Sequence, residues 1–341
     1  MKKLTAHLHF KENSMFNIAL FGVGRIGRIH GQNIHDHTQT NVYSVIDPYI
    51  EGREELSEKY DAKIQTTEEA MADPNVHAVC ICSATDTHVN LIELAAQHGK
   101  AIFCEKPIDL DLTKVRDCLK IVEKNKSILF IGFNRRYDAH FNELKARLND
   151  KAIGQVESLI ITSRDPAAPP AEYAKTSGGM YRDMTIHDFD MVRYLMNAEP
   201  TSIKAYGSCM VDPEIGKAGD IDTSVIVLTF ESGAIATINN SRRSGYGYDQ
   251  RIEVHGSNGM LSAGNITENS VKQFGNQGAV EANPEYFFLQ RYAGAYKNEW
   301  NHFVEVLGGA ESLSPGIDGE RALALADAAL ASLTTNKTVT L

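Results

Sequence analysis

The sequence predicts an α/β protein of two domains: an N-terminal doubly wound parallel sheet and a C-terminal α+β domain built on a large, mostly antiparallel open sheet. Three observations carry this. Up to about residue 134, short apolar runs of the buried-strand kind alternate with helix-compatible segments. A glycine-rich turn joins the first run to the first helix, and after Gly154 the runs alternate apolar and polar residues, as strands with one wet face do. The 341 residues suit two domains, and 43% hydrophobic with 23% charged residues is ordinary globular usage, which excludes disorder and coiled-coil rods.

The first strand, 17–21, runs into Gly22-Val23-Gly24-Arg25-Ile26-Gly27 and then a helix to about His35. Strands at 42–46, 76–82, 101–104 and 128–133 follow, separated by helices over 51–60, 87–98 and 112–124, with Gly99 placed for a left-handed C-cap. Right-handed strand–helix–strand crossovers give a doubly wound domain over 15–134. Beyond it, strands at 155–163, 202–207, 223–230, 234–239 and 251–255, with helices at 187–196, 292–307 and 318–333, make 135–341 the α+β domain. Residues 1–14 read as a leader or extension without the apolar stretch of a secretory signal.

Charge narrows the function. With 34 Lys+Arg against 44 Asp+Glu the net charge is −10, which disfavours nucleic acid and anionic membrane as partners. No run reaches the ~18 apolar residues of a membrane span. Five cysteines, an odd number of which four sit in apolar patterns, fit a reducing cytoplasm, and nothing pairs with Cys80 and Cys82 at zinc-ligand spacing, so no metal is expected.

The glycine turn gains meaning from its context. A strand precedes it, a helix follows, and Asp47 ends the next strand twenty residues past Gly27, where an acid that binds ribose hydroxyls is expected. Gly22 permits the tight turn, Gly24 lets backbone approach a pyrophosphate, and Gly27 lets the helix lie close to the strand. The helix N-terminus then offers N–H groups and a positive dipole. This pattern reads as a dinucleotide site, the bland alternative being an ordinary βα turn, and Asp47 favours NAD over NADP, with Arg53 the nearest residue that could reverse that preference. Glu105-Lys106-Pro107 stands at the carboxyl end of a strand, the edge where such sheets hold ligands, so Lys106 is poised toward the cofactor; its bland reading is a solvated lysine before a turn proline. In Gly178 to Asp190, Asp183 and His187 are spaced i, i+4 and share a face if the segment is helical, a carboxylate–imidazole pair of the kind that removes a hydroxyl proton as hydride leaves carbon. The bland alternative is a helix start with Asp183 as cap. Arg135 and Arg136 follow a strand at a sheet edge and suit a polyhydroxylated substrate or, more plainly, surface ion pairs, and Tyr246-Gly247-Tyr248-Asp249 reads as a hairpin turn or a substrate contact.

Taken in order, the 22–27 turn, Glu105-Lys106-Pro107, Arg135-Arg136-Tyr137-Asp138, the 178–190 segment and Tyr246-Gly247-Tyr248-Asp249 resemble the Gfo/Idh/MocA oxidoreductases, the glucose-fructose oxidoreductase / inositol dehydrogenase family, and within it the inositol 2-dehydrogenase branch. The resemblance spans about 15–335. It implies a Rossmann domain binding NAD, a second domain for substrate binding and assembly into a homotetramer, and oxidation of myo-inositol to 2-keto-myo-inositol. It implies Lys106, Asp183 and His187 as catalytic residues. The implied cofactor contacts are Gly22, Gly24, Arg25, Ile26, Gly27, Asp47, Ser83, His88, Glu105, Lys106 and Pro107; Asn134, Arg136, Arg164 and Tyr248 join Lys106, Asp183 and His187 at the polyol. Where relatives carry a tyrosine as acid/base, this chain has His187, which points to the inositol branch; Asn134 stands where some inositol enzymes have methionine. Another inositol isomer or an aldose, and a non-catalytic NAD-sensing regulator, are the rival expectations.

Overall fold

The computed structural model describes residues 15–341, so the expected leader over 1–14 lies outside the described residues. The chain forms two compact units. One holds the polypeptide through Asn134 together with Tyr296–Glu320, the other Arg135–Ala295 together with Arg321–Leu341. The domain expected over 135–341 is therefore not one continuous stretch, and aromatic packing is the reason. Trp300 and Phe303, both fully buried, lie with their ring centroids 5.7 and 5.6 Å from that of Phe103, and Phe303 lies 5.5 Å from Phe130. Burying each such ring contributes roughly 2–3 kcal/mol. Ser314 adds a polar tie, its hydroxyl donating to the Ile131 carbonyl at 2.7 Å.

The first unit contains strands β1 (Phe16–Phe21), β2 (Thr40–Ile46), β3 (Lys63–Ile64), β4 (Ala78–Ile81), β5 (Ala101–Glu105) and β6 (Leu129–Gly132). Their order is β3-β2-β1-β4-β5-β6, with every ladder parallel. β4, β5 and β6 are buried at every position, which is why they read as unbroken apolar runs. The order reverses between β1 and β4, and a doubly wound sheet opens its ligand crevice at the carboxyl ends of such a pair. The helix Thr85–Gln97 ends as expected, with Gly99 at φ +68°. β3 and the helix Thr67–Ala72 were not anticipated: β3 is two exposed residues, and the helix is short and set by a capping box between Thr66 and Glu69.

The second unit contains β7 (Val156–Arg164), β8 (Ser202–Ser208), β9 (Thr223–Thr229), β10 (Ile235–Ser241), β11 (Asp249–Gly256), β12 (Gly259–Ala263), a separate hairpin of β13 (Lys272–Gly275) and β14 (Gly278–Glu281), and β15 (Val339–Thr340). Its main sheet has the order β12-β11-β7-β10-β9-β8-β15, antiparallel throughout except for β7 with β10. Because β10 and β11 flank β7 on opposite sides, the segment holding Tyr246 and Tyr248 crosses over the end of β7, and the hairpin expected there does not form. Inward residues such as Ile226, Leu228, Ala236 and Ile238 are buried, while Ile160, Tyr206, Val225 and Ile235 stand exposed on the other face. No described helix is long and apolar enough to cross a membrane.

Candidate active site

In the first unit the glycines are fixed by sterics. Gly22 sits at φ +98°, and a Cβ there would lie 2.5 Å from the Cys82 carbonyl carbon; at Gly27 it would lie 2.0 Å from the Gly22 oxygen. At Gly24 a Cβ would meet no protein atom within 4 Å, so this stretch of backbone faces open space. The helix Arg25–Asp36, which carries Arg25 and Ile26 in its first turn, starts directly after Gly24 with no acidic residue there. That cradle fits a pyrophosphate. Asp47, just beyond β2, accepts from the Val23 N–H through Oδ2 at 2.9 Å and from the Tyr49 N–H through Oδ1 at 2.7 Å, which ties this carboxylate to the glycine loop. Arg53 donates to the backbone carbonyl of Asp47 at 3.3 Å and leaves the carboxylate in place.

The other implied cofactor residues form the support of this edge. The two ring nitrogens of His88, a fully buried residue, lie 2.8 Å from the Pro107 carbonyl and 3.0 Å from the Ser83 carbonyl, so the imidazole straps the loop after β4 to the turn after β5. The Ser83 hydroxyl shares a 2.6 Å hydrogen bond with Thr87. Glu105 turns inward: one oxygen lies 2.8 Å from His30 Nε2 and the other accepts from the Lys106 N–H at 3.3 Å. Lys106 is half-buried, and its bond to Pro107 is cis. Among the described residues, His30, Glu105 and Glu299 approach one another closely enough to suggest a cation site. Burial, reinforced by the Glu105 charge, drives the Glu299 carboxyl well above its ordinary range.

The second unit brings charged side chains together. The segment expected to carry Asp183 and His187 on one helix breaks between them: Asp183 ends the helix Met180–Asp183, and His187 is the second residue of Ile186–Met196. At the break the Thr185 N–H reaches back five residues to the Met180 carbonyl, while the Thr185 hydroxyl donates to Asn240 at 2.7 Å. Asp183 and His187 are both half-buried. The Asp183 carboxylate accepts from the Tyr173 hydroxyl at 3.0 Å and from Arg242 at 2.9 Å.

Of the implied substrate residues, Arg136 has its fork filled by Asp190, through Nε and Nη2, and lies over the Tyr194 ring. Its neighbour Arg135 pairs with buried Asp188 and reaches Ser163 at 3.3 Å and the Tyr248 hydroxyl at 3.5 Å. Tyr248 is buried edge-on to Tyr292, and burial raises its phenol well above the usual range. Arg164 donates to Asn239 and to the Tyr246 hydroxyl, both at 3.1 Å. Asn134 is buried at the start of the 3-10 turn Asn134–Tyr137. Sequence reasoning gave no role to Arg242, Asp165 or Tyr173. The one available signal was an Arg-Arg pair directly after a strand, in the position where Arg135-Arg136 had been noticed.

Comparison with known proteins agrees with this layout. Residues 16–133 match the family model described as the oxidoreductase family with an NAD-binding Rossmann fold, and residues 141–262 match the GFO/IDH/MocA C-terminal domain. The chain is 45% identical to an inositol 2-dehydrogenase of Rhizobium meliloti, covering 94% of this chain and 98% of that protein. It is equally 45% identical to a myo-inositol 2-dehydrogenase of Thermotoga maritima, over 95% and 98%. A crystal structure of scyllo-inositol dehydrogenase from Lactobacillus casei with bound NAD(H) and scyllo-inositol matches with a TM-score of 0.89 at 26% identity, over 96% of this chain and 99% of that one.

Proposed function

Because the chain belongs to the GFO/IDH/MocA oxidoreductase family, with its NAD-binding Rossmann domain, we propose that it oxidises myo-inositol to 2-keto-myo-inositol (scyllo-inosose) with formation of NADH. NAD, when bound, supplies the hydride acceptor. The backbone of 22–27 would hold its pyrophosphate, and Asp47 would accept from its ribose hydroxyls. His187 accepts the proton of the hydroxyl being oxidised, Asp183 orients and charge-stabilises the imidazole, and Lys106 steadies the developing alkoxide with its ammonium group. Asn134, Arg164 and Tyr248 serve the remaining hydroxyls of the polyol, with Arg136 acting from its pair with Asp190.

The observation that carries the reading is the placement of Asp183 and His187: they stand at the two helix ends that meet at one break, both half-buried, while Arg135–Asp188 and Arg136–Asp190 are fully buried pairs. The exposed apolar face of the main sheet, with Ile160, Tyr206, Val225 and Ile235, supports assembly as a homotetramer. All five cysteines are free thiols, in keeping with a cytoplasmic enzyme.

A polyol panel tests the proposal. myo-Inositol, scyllo-inositol, glucose and xylose are each offered with NAD and with NADP while absorbance at the NADH band is followed. myo-Inositol with NAD is expected to react fastest. Faster reaction with scyllo-inositol or an aldose would reassign the substrate, and tight NAD binding without reduction on any polyol would favour an NAD-sensing regulator.

A further inference from the structure

Asp183 is held from outside its own helix. Arg242, buried on the segment after β10, donates through Nη2 to Asp183 Oδ2 at 2.9 Å and through Nη1 to Asp165 Oδ2 at 3.1 Å. Tyr173, on the helix Ala171–Thr176, donates its hydroxyl to the other Asp183 oxygen at 3.0 Å. One guanidinium thus faces two carboxylates, and a hydroxyl is added to only one of them. Two acids that share a cation do not ionise equally, and the one with the extra donor keeps its charge more firmly.

We propose that Arg242 and Tyr173 form a charge-setting clamp on Asp183, positioning residues that keep its carboxylate ionised and aimed for proton transfer at His187, while Asp165 shares Arg242 and limits how much of its positive charge Asp183 feels. The proposal rests on the reading of Asp183 and His187 given above. Burial lifts the Asp165 carboxyl, Arg242 opposes that lift and Asp183 adds to it. Around Asp183, Tyr173 and Arg242 donate to it directly, Asp165 faces it across Arg242, and Arg135, from the 3-10 turn, acts on Asp165.

The signs can be tested. Removing the positive charge of Arg242 makes the surroundings of Asp183 and His187 more negative and raises the pH at which they lose a proton; removing the negative charge of Asp165 does the reverse. The experiment is the pH profile of kcat/KM for the wild type, R242Q, R242K and D165N, with thermal unfolding followed in parallel. R242Q is expected to move the acidic limb up by about half a pH unit or more and to lower kcat about tenfold. D165N is expected to move the limb down. R242K is expected to bring the limb back toward the wild type while kcat stays low, because one ammonium cannot span both acids. Limbs that stay at the wild-type position, or that R242Q and D165N shift in the same direction, would overturn the clamp in an otherwise active enzyme. If R242Q does not fold, R242K and D165N carry the same opposition of kcat loss against limb shift. A wild type inert on every cyclitol would overturn the functional reading and the clamp with it.

Discussion

The two units use different chemistry at their functional edges. In the first, the 22–27 loop works through backbone: glycines that admit no Cβ hold its path, and Asp47 fastens it by accepting the Val23 N–H. In the second, charged side chains work in pairs, with Arg135 on Asp188, Arg136 on Asp190, Arg291 on Asp138, and Arg242 bridging Asp165 and Asp183. A backbone cradle recognises a phosphate-bearing cofactor that many enzymes share. Fixed side-chain charge suits a substrate distinguished only by the orientation of its hydroxyls, and a single misplaced donor there is felt directly.

The sharpest way to break this contrast is to remove the proposed base. His187→Ala is expected to lower kcat by about 10²–10⁴-fold while NAD affinity, followed by protein fluorescence, stays unchanged. Loss of NAD binding as well would mean that the two edges do not divide the work as described. Arg135→Met leaves Asp188 charged inside a fully buried site and is expected to destabilise the fold by about 3–5 kcal/mol in urea unfolding. A change below ~1 kcal/mol would show that the second unit does not depend on its buried pairs. Gly27→Ala brings a methyl group against the Gly22 oxygen, so NAD should bind about tenfold or more weakly, with kcat at saturating NAD less affected.

A gentler effect comes from pH. Burial opposes ionisation of Asp222, but the N–H groups of Asp212, Met210 and Val211 outweigh it and hold the carboxyl down at about 2. Since the folded value lies below the unfolded one, its stabilisation is complete above the ordinary aspartate range and fades as pH falls toward 2. Thermal unfolding between pH 5 and about 2 should therefore decline less steeply for Asp222→Asn than for the wild type, and parallel curves would assign the acid loss elsewhere.

How much could be read in advance follows the same division. Gly22, Gly27 and Asp47 lie within a short stretch of chain, so the strand–turn–helix around them is legible from local pattern, and β4, β5 and β6 are legible because burial on both faces demands unbroken apolar runs. Arg242 meets Asp183 across 59 residues, and Arg291 meets Asp138 across 153. No local pattern encodes such pairs. The break between Asp183 and His187 escaped notice because it depends on Thr185 reaching Asn240, 55 residues away. β3 and β15 are two-residue strands, shorter than any period can register.

The return of Tyr296–Glu320 to the first unit has a consequence for how the protein is made. When Asn134 leaves the ribosome, Phe103 and Phe130 still lack Trp300 and Phe303, and residues 135–295 must be translated before these arrive. At about 5–20 residues per second the unfinished nucleotide domain waits on the order of ten seconds with that aromatic patch bare. A nascent chain stalled in this interval is a natural client for chaperones, and a fragment cut at Asn134 should bind a hydrophobic dye more strongly than the whole protein does.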